Sequence, residues 1–81
     1  MSLRDVFARN LRRLRQARNL SQEQLAADAD ISREYLGALE RSGYSASIDV
    51  IENLALALKV DAAELFLKGT PTGKTAFRPS R

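Results

Sequence analysis

One stretch, Ser21–Arg41 (SQEQLAADADISREYLGALER), constrains this chain more than any other. It reads as two short helices joined by a turn too tight to leave their crossing free. Ser21 and Gln24 are spaced so that their side chains satisfy each other's backbone donors at a helix start. Leu25 and Ala29 then repeat one turn apart, and Ala26 is small where a second helix has to cross closely. Asp30 sits at the reversal and Ile31 anchors it. Ser32 can cap a second helix whose Leu36 and Leu39 share a face. Such a pair leaves the outer face of the second helix uncovered.

The flanking sequence is helical as well, so the fold class is all-α, with five helices and no strand. Helix one runs from Leu3 to Arg18, capped by Ser2 and Asp5, with Phe7, Leu11 and Leu14 as its apolar stripe. Helix two covers Gln22–Ala29 and helix three Arg33–Arg41. The loop Ser42-Gly43-Tyr44-Ser45-Ala46 has turn residues and no period. Ser47 caps helix four, Ile48–Leu58, with Ile51, Leu54, Ala55 and Leu58 inward. Asp61 and Glu64 open a short fifth helix that ends near Leu67, with Gly69 placed to terminate it. Residues 1–68 form the domain. Residues 69–81, with two prolines, a glycine and no helical period, read as a flexible basic tail. The expected core is Phe7, Leu11, Leu14, Leu25, Ala26, Ala29, Ile31, Leu36, Leu39, Ile51, Leu54, Ala55, Leu58, Val60, Leu65 and Phe66.

What the chain lacks narrows its chemistry. Its 81 residues suit one small domain. Cysteine and histidine are both absent, which removes disulfides, thiolate metal sites, the usual general base and the commonest metal ligand. The carboxylates are scattered over helix ends and exposed faces. No enzyme, metal or cofactor is expected, and no small-molecule ligand. No apolar run approaches the roughly 20 residues that cross a bilayer. The N-terminus has no apolar secretory core, so the cytoplasm is the expected compartment.

The net charge of +3 is unevenly placed. Residues 1–20 hold six arginines against Asp5, a net of +5; residues 21–68 carry −5; residues 69–81 carry +3. Basic charge at both ends points to a polyanionic partner. Two helices meeting steeply across a short turn make a helix-turn-helix, whose second helix fits the DNA major groove.

Three stretches, FARNLRRLRQARNLSQEQLA, ADADISREYLGALER and SIDVIENLALALKVDAAELF, span residues 7–66. In their apolar register, the Ser-Gln that opens helix two and the Leu-Glu at 39–40, they resemble the lambda-repressor-like (Cro and xenobiotic-response-element type) DNA-binding domain. The resemblance implies a compact five-helix domain and a sequence-specific transcriptional regulator that binds double-stranded DNA. The length and SREYLGALERS are also similar to controller proteins of restriction-modification systems. The family usually has glycine where Asp30, Ser42 and Lys59 stand, and a proline near Ala46. Aspartate tolerates the left-handed conformation better than most residues.

Helix three is expected to present Ser32, Arg33, Glu34 and Ala38 outward, with Gly37 permitting close approach. Arg33 is the candidate base reader, since a guanidinium can pair with two acceptors of guanine, worth about 1–3 kcal/mol of discrimination; a phosphate contact is the alternative. Glu34 either accepts from a cytosine amine or orients Arg33, and the second role is favoured. The resemblance implies that Gln22 touches a phosphate or base edge, and that Arg15 and Glu40 bridge helix one to helix three beside the DNA backbone. Arg41, Ser42, Tyr44 and Ser45 lie where phosphates would run, contacts that set position rather than sequence. Tyr44 could instead pack on the domain as a lid. Asp28 and Asp30 should point away from DNA, while Arg12 and Arg15 offset Glu23.

A homodimer on a near-palindromic operator follows from half-sites about 34 Å apart. Val50, Leu56, Phe66 and Leu67 are the expected self-complementary patch. The competing class is a protein-binding adaptor or antitoxin of the same shape.

Overall fold

Side-chain oxygens start every helix among the described residues. The computed structural model describes residues 2–68, which form α1 (Leu3–Ala17), α2 (Gln22–Ala29), α3 (Arg33–Glu40) and α4 (Ile48–Leu58). Ser2 and Asp5 make a reciprocal capping box on α1, and Ser21 and Gln24 make another on α2. Ser32 accepts from the Tyr35 amide at 3.0 Å and Ser47 from the Val50 amide at 3.1 Å. The Ser42 hydroxyl, and then the Ser2 amide and hydroxyl, hold the Asp5 carboxyl below its ordinary pKa.

The four helices also stop alike. Asn19, Asp30, Ser42 and Lys59 take the left-handed conformation, with φ of 58°, 62°, 63° and 61°. The amide that follows each one reaches back five residues: Leu20 to Arg15 O, Ile31 to Ala26 O, Gly43 to Ala38 O and Val60 to Ala55 O, at 2.7–3.2 Å. This six-to-one bond closes a helix whose last carbonyls have no partner in the helix itself. The three sites where the resemblance calls for glycine are three of these four. Here residues with a Cβ meet the same demand.

The expected fifth helix is corrected. Ala62–Phe66 forms a single 3₁₀ segment, so the described residues hold four α-helices and no strand. The Lys59 reversal pins Val60, and Leu67 is already extended (φ −73°, ψ 132°). The six residues between these points close i to i+3 bonds, such as Glu64 N–H to Asp61 O at 2.9 Å, but are too few for stable α turns. Residues 69–81 and the terminating role of Gly69 lie outside the described residues.

α2 packs against α3 and α4, while α1 covers α3 and the 3₁₀ segment. Leu11, Leu25, Leu36, Leu39, Leu54, Leu58 and Leu65 are fully enclosed in one cluster. Val6 and Ala8 are buried beyond the expected set, whereas Ile31, Ile51, Val60 and Phe66 are only half-buried at its margin. Phe66 stacks on Phe7 with ring centroids 5.5 Å apart.

Asn10 is a buried polar residue on the inward stripe of α1. Its Nδ2 donates to Leu65 O at 3.1 Å and Leu67 O at 2.8 Å, and its Oδ1 accepts from Arg13 at 3.2 Å. It fastens the 3₁₀ segment to α1. Asn10→Ala should lower unfolding free energy by about 1–3 kcal/mol, because it strands the carbonyl of buried Leu65 and releases that of Leu67. Urea denaturation checks this, and an unchanged midpoint would mean that water or another donor takes over.

Candidate nucleic-acid interface

Glu40, the last residue of α3, turns inward and is only 4% exposed. Arg15 from α1 meets it with two bonds, Nε to Oε2 at 2.7 Å and Nη2 to Oε1 at 3.1 Å. Gln22, the first residue of α2, donates its Nε2 to Oε1 at 3.1 Å. Arg15 Nη1 also holds Leu20 O at 2.9 Å, and Arg12 Nη1 holds Glu40 O at 3.1 Å. One carboxylate therefore ties together the three helices of the motif. An ionised carboxylate can only accept, so the Gln22 amide nitrogen must face it. The Gln22 carbonyl oxygen is left to serve as an acceptor elsewhere.

The bridge between Arg15 and Glu40 is present as the resemblance implied, but it changes what Arg15 can do. The Arg15 side chain is 12% exposed and its charge is matched at 2.7 Å. It is a scaffold for Gln22 and α3, and it has little charge to set against Glu23.

The outer side of α3 carries the expected polar groups, with one exception. Ser32 and Glu34 are exposed, as is Arg33, whose Nη2 lies 3.9 Å from Glu34 Oε2. That spacing suits the orienting role of Glu34. Ala38 is corrected: it is 8% exposed, not outward, because the chain after α3 folds back over it. The Gly43 amide donates to Ala38 O at 2.7 Å, and a Cβ on Gly43 would lie 3.1 Å from that oxygen. Gly43 thus permits this close approach, one residue after the reversal at Ser42.

Arg33, Gly37 and Arg41 recur every fourth residue and so share a face. Gly37 itself is buried, because the Arg41 side chain lies over it. Ser42 is half-buried and Ser45 exposed. Tyr44 tilts against Tyr35, with centroids 6.3 Å apart, yet stays 60% exposed, so it is no closed lid.

The four residues of the expected dimer patch have different surroundings. Val50 is half-buried against the core. Phe66 lines an open groove of about 620 Å³ with Leu3, Phe7, Tyr44, Ile48 and Ile51. Leu56 lies in a separate groove with Asp28, Asp30 and Asn53. Leu67 is exposed, its carbonyl held by Asn10. Sequence reading missed Asn10 and the way Arg41 turns back. Asn10 had a signal, being a polar residue on an inward helical stripe; Arg41 had none. Among the described residues, no group of three or more acidic side chains could hold a metal ion, and no helix is long and apolar enough to cross a membrane.

Glu40→Ala should cost about 3–5 kcal/mol in folding stability, because it leaves the Arg15 guanidinium buried and uncompensated. Chemical denaturation monitored by circular dichroism measures this. A variant as stable as the parent would show that Arg15 finds water once released.

A family profile described as helix-turn-helix matches residues 11–65. An uncharacterised HTH-type transcriptional regulator, y4dJ of Sinorhizobium fredii, is 36% identical over 77 residues, covering 95% of this chain and 96% of its own. Control protein C.SmaI of Serratia marcescens is 34% identical over 84% of this chain and 81% of its own. Among solved structures, the restriction-modification controller protein C.AhdI from Aeromonas hydrophila superposes with a TM-score of 0.76 at 41% identity. That match covers 78% of this chain and 96% of the other. The hypothetical transcription factor NHTF from Neisseria gives 0.78 at 39% identity, over 82% of this chain and 76% of its own. With α2 and α3 in place and the profile spanning both, this chain belongs to the helix-turn-helix family, in its lambda-repressor-like, xenobiotic-response-element branch.

Proposed function

We propose that this protein is a transcriptional regulator that binds DNA sequence-specifically as a homodimer. The observation that carries this reading is the Glu40 cluster, which fixes Gln22 beside an α3 whose outer side is uncovered and bears Arg33. α3 enters the major groove, Arg33 pairs with a guanine, and Gln22 contributes a carbonyl acceptor near the start of α2. Arg12, Ser42, Tyr44 and Ser45 meet the strands on either side. The relatives named as regulators and control proteins support the same reading.

The dimer is supported by geometry and charge. Recognition helices one DNA turn apart are about 34 Å apart, and the molecule is itself 34 Å in its longest dimension. Two copies bound with that dimension along the DNA meet at an edge beside α3. The edge near the start of α3 carries Asp28 and Asp30 around Leu56, so a two-fold contact there would oppose like charges. The edge beyond its end carries the groove rimmed by Leu3, Tyr44 and Ile48, with Ile48 78% exposed. A second copy is best accommodated on this second edge, which moves the interface from Leu56 to Ile48.

Two measurements test these statements. Arg33→Ala should weaken binding to a selected duplex by about 1–3 kcal/mol and relax preference at one base pair per half-site. Wild-type affinity should also fall steeply as salt rises. Absence of any duplex binding at low salt would favour the adaptor class instead. For the interface, sedimentation velocity should show Ile48→Asp as a monomer and Leu56→Asp as a dimer. The reverse result would return the interface to the Leu56 edge.

A further inference from the structure

We propose that Arg41 is a base-reading residue and that Gly37 is what makes room for it. This rests on the DNA-binding reading above and goes beyond it, because residues after a recognition helix are expected to hold phosphates. An ideal Cβ on Gly37 would lie 3.2 Å from Arg41 Nη1 and 3.9 Å from Gln22 Nε2. The Arg41 guanidinium therefore does not extend away from the end of α3. It folds back one turn along the helix, and its tip covers residue 37 beside Gln22. That point is the middle of the outer ridge, between Arg33 and Arg41. Folded back in this way, the guanidinium moves from the end of α3 toward the start that bears Arg33, the part of a recognition helix that meets base edges in the major groove.

Two further observations agree. The neighbouring carboxylate, Glu40, is already occupied by Arg15 and Gln22. Among the described residues Arg41 enters no ion pair and its side chain makes no hydrogen bond, so its five donors remain available. Gly37 lies inside an eight-residue helix, where glycine weakens the structure, and its backbone does not have a positive φ. What the position needs from glycine is space, and Arg41 fills that space.

The test selects binding sites from a duplex library randomised over about 20 base pairs, two turns of DNA. Selection is run with the full-length wild type, Arg41→Ala and Gly37→Ala, followed by anisotropy titrations on the selected and a scrambled duplex. The clash in Gly37→Ala involves only the far end of a flexible side chain, so its melting temperature should equal or exceed the parent's. Arg41→Ala should lose about 5- to 150-fold on the selected duplex, far less on the scrambled one, and all preference at one base pair per half-site. Gly37→Ala should alter preference at that same base pair and keep the one set by Arg33. Equal losses on both duplexes for Arg41→Ala, with a shallower salt dependence, would mark a phosphate contact and overturn the proposal. So would a Gly37→Ala variant with wild-type preference. A wild type that enriches no sequence would overturn both this proposal and the reading on which it rests.

Discussion

The carboxylate of Glu40 organises the whole motif. Burial of a charge is tolerated only when its oxygens are fully engaged, and here Arg15 and Gln22 engage them from two other helices. The arrangement acts at two levels. It locks the crossing of α1, α2 and α3, and it decides which atom of Gln22 faces outward. It also withdraws Arg15 from any role as a free cation, although the charge count of the N-terminal segment makes Arg15 look available. The exposed guanidiniums of Arg33 and Arg41 therefore carry the positive charge on the outer side of α3.

Much of the fold was legible in the sequence because the governing interactions are local. Serines three residues ahead of a partner amide set the helix starts, and α2 and α4 fall on their expected bounds for that reason. The leucine stripes pointed inward wherever the helical period was uninterrupted. Legibility ended where tertiary structure decides. A fifth α-helix was suggested by Asp61 and Glu64, but the two fixed points, Val60 and Leu67, leave only six residues between them. Ala38 seemed outward on a helical wheel, yet the returning chain at Gly43 covers it. The path of the Arg41 side chain depends on an empty place on α3, and no periodicity records that.

The two ends of α3 differ in kind. One is acidic and holds Leu56 among Asp28, Asp30 and Asn53; the other is apolar and open, between the start of α1 and the start of α4. Exposure alone marks Leu56 and Ile48 as equals. Their neighbours separate them, because a symmetric contact multiplies whatever charge surrounds it. The segregation of acid into residues 21–68 thus gains a spatial meaning: some of it lies where a second copy would be repelled.

The four helix ends have a consequence for how the molecule comes apart. Ser42 and Lys59 hold a backbone geometry that their own side chains disfavour, while Asn19 and Asp30 tolerate the same geometry more readily. At Ser42 and Lys59 the packing on both sides of the corner offsets that cost. Release of a helix among the described residues therefore also disturbs the corner that joins it to the next. Corners of this kind couple neighbouring helices, which favours melting as one unit over piecemeal opening.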